Sequence, residues 1–378
     1  MVAVRGRIGR HSMARPAGAL METVIYILIG LHGVMVLNIV LNRASFTLRR
    51  RARSSNALPS VSVLVPARDE EHNLPRLLAS FKQQDHPKAE MIVYDDQSSD
   101  GTWHILENVD DERIRGIRGQ ELPDGWVGKT NGCYQLSLQA SGQVFLFIDA
   151  DTEFQHPSAL RHMCERFAAR PPSTILTGMT LLEGGGRSIV SMVGAIIVSC
   201  IPWWMGRYVP ASAMSGVNGQ CWMITKADYR QHEPHRYARG EVLEDIRIGR
   251  YLHQQGLIPL LDDVTNDLTV HMYGSFPEAW AGFRKNTADI LGRSTASSLL
   301  GLTFYVFMFI AAPFIYPPLV VSLLFMKFAS DRVTRQPLRV TLLAPVSLLL
   351  VVGLGVDSIW TRSRGRIQWK GRVIRSSA

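Results

Sequence analysis

Short unbroken apolar runs alternate with stretches of helical period over the first half of this chain. Val61-Ser62-Val63-Leu64-Val65-Pro66, Met91-Ile92-Val93-Tyr94 and Phe145-Leu146-Phe147-Ile148 read as strands, the last of them buried on both faces. Between the first two, Leu74, Leu77, Leu78 and Phe81 fall on one face of a helix over Asn73 to Gln84. The polar turn Gln97 to Thr102 opens another helix, Ile114 to Ile117 gives a short strand, and a helix covers about Thr130 to Ala140. Strands alternating with helices predict an α/β fold with a doubly wound, mostly parallel sheet. Further on, Gln220 to Thr225 reads as a strand, Glu241 to Gln254 as a helix and Ser275 to Arg293 as an amphipathic helix. Gly184-Gly185-Gly186 reads as a flexible loop.

Three longer apolar runs have a different meaning. Leu20 to Leu41 has the length of a membrane span, and the absence of a small-x-small cleavage site before the Arg cluster favours an anchor over a cleaved signal. Leu299 to Met326 is broken by Pro313, Pro317 and Pro318, and Leu338 to Ile359 contains Pro345, so these are spans with kinks or re-entrant half-spans. Ile189 to Met205 ends in Trp203-Trp204 and reads as an interfacial segment, with a buried core helix as the rival. The expected order is a basic extension (1–19), an anchor (20–42), a basic linker (43–60), an α/β domain (61–295, with the interfacial segment at 187–208), two spanning or re-entrant segments (296–361) and a basic tail (362–378).

Charge sharpens that division. The net charge is +9, but the first 59 residues carry nine Arg against one Glu, and the residues from Lys327 onward are about as basic. Each end is therefore near +8 and the middle near −7. An acidic body with basic ends excludes a general nucleic-acid binder. Arg43, Arg49, Arg50, Arg51 and Arg53 after the first span, with Arg362, Arg364, Arg366, Lys370, Arg372 and Arg375 after the last, place the body on the cytoplasmic side of a cell membrane of bacterial type. Arg5, Arg7, Arg10 and Arg15 pull the other way, as do Lys327, Arg332, Arg335 and Arg339. Cys133, Cys164, Cys200 and Cys221 have no paired or metal-ligand spacing and are expected to be buried small hydrophobes in a reducing compartment.

The candidate chemistry sits at strand ends, where open α/β sheets bind ligands. Asp69 and Glu70 follow the first strand, Asp95 and Asp96 the second, Asp149 and Asp151 the one at Phe145. Asp149 and Asp151 are two apart on an extended segment, so both can face one hard cation such as Mg²⁺ with substrate phosphate completing its shell. Alone, that pair also fits solvated loop aspartates or a helix cap. Lys129, Arg284 and Lys285 offer positive charge for a diphosphate, or a solvated helix face. Glu244-Asp245 suits a base, and equally the acidic first turn of a helix.

Taken together, these stretches resemble a membrane-bound family 2 glycosyltransferase with the GT-A fold. The matching segments are Val63 to Glu70, Tyr94 to Thr102, Gly125-Trp126-Val127-Gly128-Lys129, Asp149-Ala150-Asp151 and Leu243-Glu244-Asp245, in the family's order. The resemblance implies that Ala67, Asp69, Glu70 and Asp96 line the nucleotide, with Lys129 nearby. It also implies that Asp151, helped by Asp149, holds Mg²⁺ or Mn²⁺, and that Asp245, beside Glu244, is the general base. His271 would be a further metal ligand or a diphosphate contact, with a plain surface histidine as the rival. The Gln-x-x-Arg-Trp motif of processive members is absent; Phe283-Arg284-Lys285-Asn286-Thr287 stands in its place, implying transfer of one sugar with Arg284 or Lys285 on phosphate. Trp369-Lys370-Gly371-Arg372 resembles a tail motif of enzymes acting on carotenoid, hopanoid and ceramide-type lipids. The expected partners are a nucleotide-sugar, UDP-linked by preference, a lipid acceptor and the membrane, with no nucleic acid. A polyprenyl-phosphate or exopolysaccharide acceptor, and a non-catalytic scaffold, are the other readings.

Overall fold

The computed structural model describes residues 15–50, 58–205, 216–241, 243–292, 294–364, 368–369 and 372–373. The expected linker over residues 51–57 and the Arg residues of the extreme N-terminus lie outside them. A long helix, α1 (Arg15–Arg50), precedes the α/β domain. Then follow β1 (Val61–Ala67), α2 (Leu74–Lys82), β2 (Ala89–Asp95), α3 (Thr102–Glu107), β3 (Ile114–Arg118), α4 (Gly128–Gln139) and β4 (Val144–Ile148). The chain continues with β5 (Thr152–Phe154), α5 (Ala159–Ala168), β6 (Thr174–Met179), β7 (Leu181–Gly184), α6 (Arg187–Cys200) and β8 (Cys221–Thr225). After α7 (Lys226–His232), α8 (Pro234–Tyr237) and α9 (Glu244–Gln254) come β9 (Ile258–Asp263), β10 (Leu268–Tyr273) and α10 (Phe276–Leu291).

The central sheet has the order β3-β2-β1-β4-β8-β6-β9. Every pairing is parallel except those of β8, which runs antiparallel to β4 and β6. The sequence reading found β8 but not its direction, because a buried strand has the same composition either way. Both faces are covered, as continuous apolar strands require. Val61, Val63 and Val65 pack with α2 and α5, while Leu64, Phe145, Phe147 and Trp222 pack with α4, α7 and α9. A second sheet, β5-β10-β7, sits beside the strand ends.

The triple glycine is a tightly built corner rather than a loose loop. Gly185 donates its amide to the Tyr273 carbonyl, and a Cβ at Gly185 would lie 2.5 Å from the Ser275 backbone. Gly186 has φ +72, which favours glycine. Cys133, Cys164 and Cys221 are buried as expected, but Cys200 is exposed because it ends α6.

The C-terminal third is helical: α11 (Thr295–Val306), a π-turn at Phe307–Ala311, α12 (Ala312–Ile315), α13 (Leu319–Val333), α14 (Leu338–Leu342) and α15 (Ala344–Ser363). The π-turn comes just before Pro313, which has no N–H to give and whose ring crowds the preceding turn. Pro317 and Pro318 then separate α12 from α13. Among the described residues, three helices are long and apolar enough to cross a membrane: Gly18–Phe46, Thr295–Ile315 and Ala344–Ser363. At 15 residues α13 is shorter than a span. Beyond α15, β11 (Gln368–Trp369) pairs with β12 (Arg372–Val373); Lys370 and Gly371 of the tail motif lie outside the described residues.

The long apolar helices meet the domain at a defined edge. Ile39 and Phe46 of α1 share a core with Met179 near the end of β6, Leu261 of β9, Val198 of α6 and Met326 of α13. Trp203 is buried and donates its indole N–H to the Ile197 carbonyl, while Trp204 donates to Asn38 on α1. Both indoles are thus held by protein groups. Because β6 runs parallel to β4, Met179 lies at the same carboxyl rim as Asp149, so the helices abut the rim that carries the acids.

Candidate active site at the strand ends

The loops after β1 and β2 are tied to each other. Ser98 Oγ accepts the Asp69 amide at 2.9 Å, and the Asp69 carboxylate accepts the Ser99 amide at 2.7 Å. Asp69 holds φ 50 and Gln97 φ 55, a strain these reciprocal bonds offset. The Glu70 amide donates to Thr102 Oγ1 at 2.8 Å. Asp96 donates its amide to the Ala67 carbonyl at 2.8 Å, and Arg68 Nη1 donates to the Asp96 carbonyl at 2.6 Å. Ala67, Asp69, Glu70 and Asp96 are therefore brought to one place, with Asp96 buried.

At the end of β4, Lys129 from the first turn of α4 points its ammonium at Asp149, 2.6 Å from Oδ1, and lies 3.7 Å from Glu244. Both Lys129 and Asp149 keep about a quarter of their side-chain surface open, at 25% and 26%, although protein closes round them. Burial works against the Lys129 charge, but Asp149 and Glu244 outweigh it and hold its pKa well above 10.5. Asp151 is the opposite case. Burial, then the charges of Asp149 and Glu70, push its carboxyl well above the ordinary range, and its Oδ1 is buried without a hydrogen-bond partner. Closely set carboxylates with an orphaned oxygen are a donor set that fits a hard divalent cation. His271 stands next to them on β10: its amide donates to the Asp151 carbonyl at 2.8 Å, while its ring Nε2 is 2.7 Å from Glu153.

The far wall is the start of α9. Asp245 accepts the Ile246 amide at 2.7 Å and the Gly219 amide at 3.3 Å, which fixes its carboxylate in the cleft. Glu244 is pushed up to about 7 by burial first, with Asp245 adding to the rise and Lys129 opposing it. Asp245 is raised too, again chiefly by burial. Folding therefore favours protonated Glu244 more than the unfolded chain does. Its contribution to stability is complete below about pH 4.5 and is lost as pH rises through about 7. For activity the sign is reversed, since a base must be ionised. A carboxylate base on this wall predicts turnover that rises with pH, and Glu244→Gln, by removing a neighbouring acid, is expected to move that rise toward lower pH. A pH–rate profile of parent and variant checks this, and an unmoved profile would separate Glu244 from the titrating pair.

Of the two cations expected on phosphate, only Lys285 turns toward the acids. Burial lowers its pKa, and Glu244, Lys129, Asp149 and Asp245 are the charges it senses. Arg284 turns instead to α15, with Nη1 3.7 Å from Asp357. That seam has further ties: Trp280 donates to Asp357 at 2.7 Å, and Arg362 to Asp289 at 2.9 Å. Ser358 Oγ accepts the Ala288 amide and donates to the Arg284 carbonyl, inserting itself between the i, i+4 pair of α10.

Two neighbours were not foreseen in the sequence. Tyr273 is pushed up to about 12 by burial and then by Asp151 and Asp149, so its phenol faces the acids as a neutral donor. His235 lies among Phe147, Trp222 and Tyr229, its Nδ1 2.7 Å from the Tyr229 hydroxyl, and burial lowers its pKa to about 3. It borders the same cleft as a neutral ring. Nothing in the spacing of either residue marks it; only the folded path of α8 and β10 does.

This fold and site define a GT-A-like α/β class. Residues 62–191 match the model of Glycosyl transferase family 2. It is similar to the 4,4'-diaponeurosporenoate glycosyltransferase of Staphylococcus haemolyticus, 24% identical over 208 residues that make up 53% of each chain. It is also similar to the GalNAc(5)-diNAcBac-PP-undecaprenol beta-1,3-glucosyltransferase of Campylobacter jejuni, 36% identical over 98 residues, 25% of this chain and 31% of that one. The chain thus spans about half, or less, of the length of these curated relatives. Among solved structures, a mannosyltransferase from Pyrobaculum calidifontis in complex with GDP-Man and Mn²⁺ superposes with a TM-score of 0.53 at 16% identity, covering 91% of this chain and 99% of that one.

Proposed function

We propose that this protein is a membrane-anchored, inverting glycosyltransferase that moves one sugar from a nucleotide-sugar to a lipid acceptor on the cytoplasmic side of the membrane. The observation that carries this reading is the cleft lined by Asp149, Glu244 and Asp245, in which Lys129 spans from Asp149 to Glu244, at the rim where the long apolar helices abut. Ala67, Asp69, Glu70 and Asp96 line the nucleotide, with a UDP-sugar preferred. Asp149 and Asp151, with His271 adjacent, would hold Mg²⁺ or Mn²⁺, which supplies positive charge for the leaving diphosphate. Lys129 and Lys285 add fixed positive charge at that side.

Asp245 takes the proton of the acceptor hydroxyl. The oxygen forms its bond to the anomeric carbon on one face as the carbon–oxygen bond to the diphosphate breaks on the other. A carboxylate acceptor would attack already ionised. Carotenoid- or hopanoid-like lipids lead as acceptors, supported by the spans at the rim and by the diaponeurosporenoate relative. A polyprenyl-linked acceptor is the second reading, supported by the undecaprenol-linked relative.

Purified full-length protein in detergent, offered a panel of UDP- and GDP-sugars with and without Mn²⁺ or Mg²⁺, tests the proposal. The expected result is one donor consumed only with metal and a glycosylated carotenoid- or hopanoid-type lipid by mass spectrometry. Transfer to undecaprenyl phosphate alone would select the second acceptor. A protein that binds no donor under any of these conditions would be a scaffold.

A further inference from the structure

We propose that His156, His162 and Asp267 form a site for one divalent transition ion of the zinc class, separate from the acids of the cleft. The three residues come from the loop after β5, from α5 and from the turn before β10. His156 Nε2 lies 3.5 Å and His162 Nδ1 3.9 Å from the same oxygen, Asp267 Oδ1. All three ligand atoms fall within 4.8 Å of one another. Those gaps are too long for hydrogen bonds. They are close to the separation of about 3.3–3.5 Å that tetrahedral ligands take around an ion with bonds of about 2.0–2.1 Å.

The surroundings hold these groups in a ligating pose. His156 Nδ1 is 3.1 Å from Ser158 Oγ, which leaves Nε2 as the inward nitrogen. Asp267 is buried, and its second oxygen accepts from Arg166 at 2.7 Å. Arg166 and Arg170 in turn bind Asp262. Two arginines stand against two aspartates there, and the ligands presented are two imidazoles and one anchored carboxylate. That set suits Zn²⁺, Co²⁺ or Ni²⁺ rather than Mg²⁺, which prefers oxygen. The histidine side chains keep 33% and 42% of their surface open, which provides the entry path and a water position.

The location gives the ion a mechanical role. The Gln155 amide bonds the Asp267 carbonyl at one end of the β5/β10 pair, and the His271 amide bonds the Asp151 carbonyl at the other. Four residues of strand put the two ends about 13 Å apart. An ion at the far end braces the base of the ladder from which Asp151 projects, without touching the cleft.

The test is a Co²⁺ titration of full-length protein in detergent, followed by visible absorption, with Asp151→Ala, His162→Ala and His156→Ala/His162→Ala alongside. One equivalent of Co²⁺ is expected to give the intense bands of a four-coordinate site in the parent and in Asp151→Ala. The bands are expected to weaken at least tenfold in His162→Ala and to vanish in the double variant, while Zn²⁺ raises the Tm only of proteins with both histidines. His162→Ala alone, at an open position, keeps the test valid if the double variant fails to fold. Bands that persist without the histidines, or Co²⁺ binding that disappears with Asp151→Ala, would overturn the site.

Discussion

Replacing Asp245 by asparagine is expected to lower lipid glycosylation by roughly 10²–10⁴-fold while leaving donor affinity near that of the parent. The substitution is nearly isosteric. An asparagine carbonyl oxygen can keep the 2.7 Å bond from the Ile246 amide, and only the longer contact with Gly219 is given up. The start of α9 therefore stays in place, and what disappears is the capacity to accept a proton from the acceptor. Calorimetry with the nucleotide-sugar and mass spectrometry of the lipid product separate these two effects. A variant that still transfers at the parental rate would move the base to Glu244 or remove the need for one, as for an acceptor that is already a carboxylate.

Asp151→Ala is expected to remove metal dependence and to cost roughly 10²–10³-fold in turnover, yet not to destabilise the protein in metal-free buffer. Asp151 is buried, crowded by Asp149 and Glu70 and has an oxygen without a hydrogen bond, so the folded chain compensates its charge only in part, through Lys129. Removing it relieves that repulsion. The parent is expected to gain Tm on adding Mn²⁺ and the variant not to, as thermal unfolding with and without metal would record. If Mn²⁺ stabilises both alike, the cation binds elsewhere and Asp151 has another task.

Much of this site was legible in the sequence because strand ends are marked twice, by apolar runs that stop and by acids that follow. Val63 to Glu70 and Phe145 to Asp151 carry both signals, and the parallel sheet follows from them. The cations were harder. Arg284 and Lys285 are adjacent and chemically alike, but successive residues on a helix face different ways. Only the packing of α10 on α15 decides that Lys285 meets the cleft and Arg284 meets Asp357. The direction of β8 and the closed glycine corner at Gly184–Gly186 were equally out of reach, because each depends on a neighbour distant in sequence. His235 was invisible for the same reason, since its low pKa comes from three rings on other elements.

The seam between α10 and α15 makes anchor and catalyst one mechanical piece. Ser358, on a helix long enough to cross the bilayer, supplies the hydroxyl that completes a backbone step of α10 next to Lys285. A soluble fragment cut ahead of Ala344 would leave that step open and strip the partners of Trp280 and Asp289 together. Tilt or strain imposed on α15 by the thickness of the surrounding lipid would reach the cleft through a single turn of helix. Under the proposed function, the bilayer would then act as a tensioner on Lys285 as well as the place where the acceptor is found.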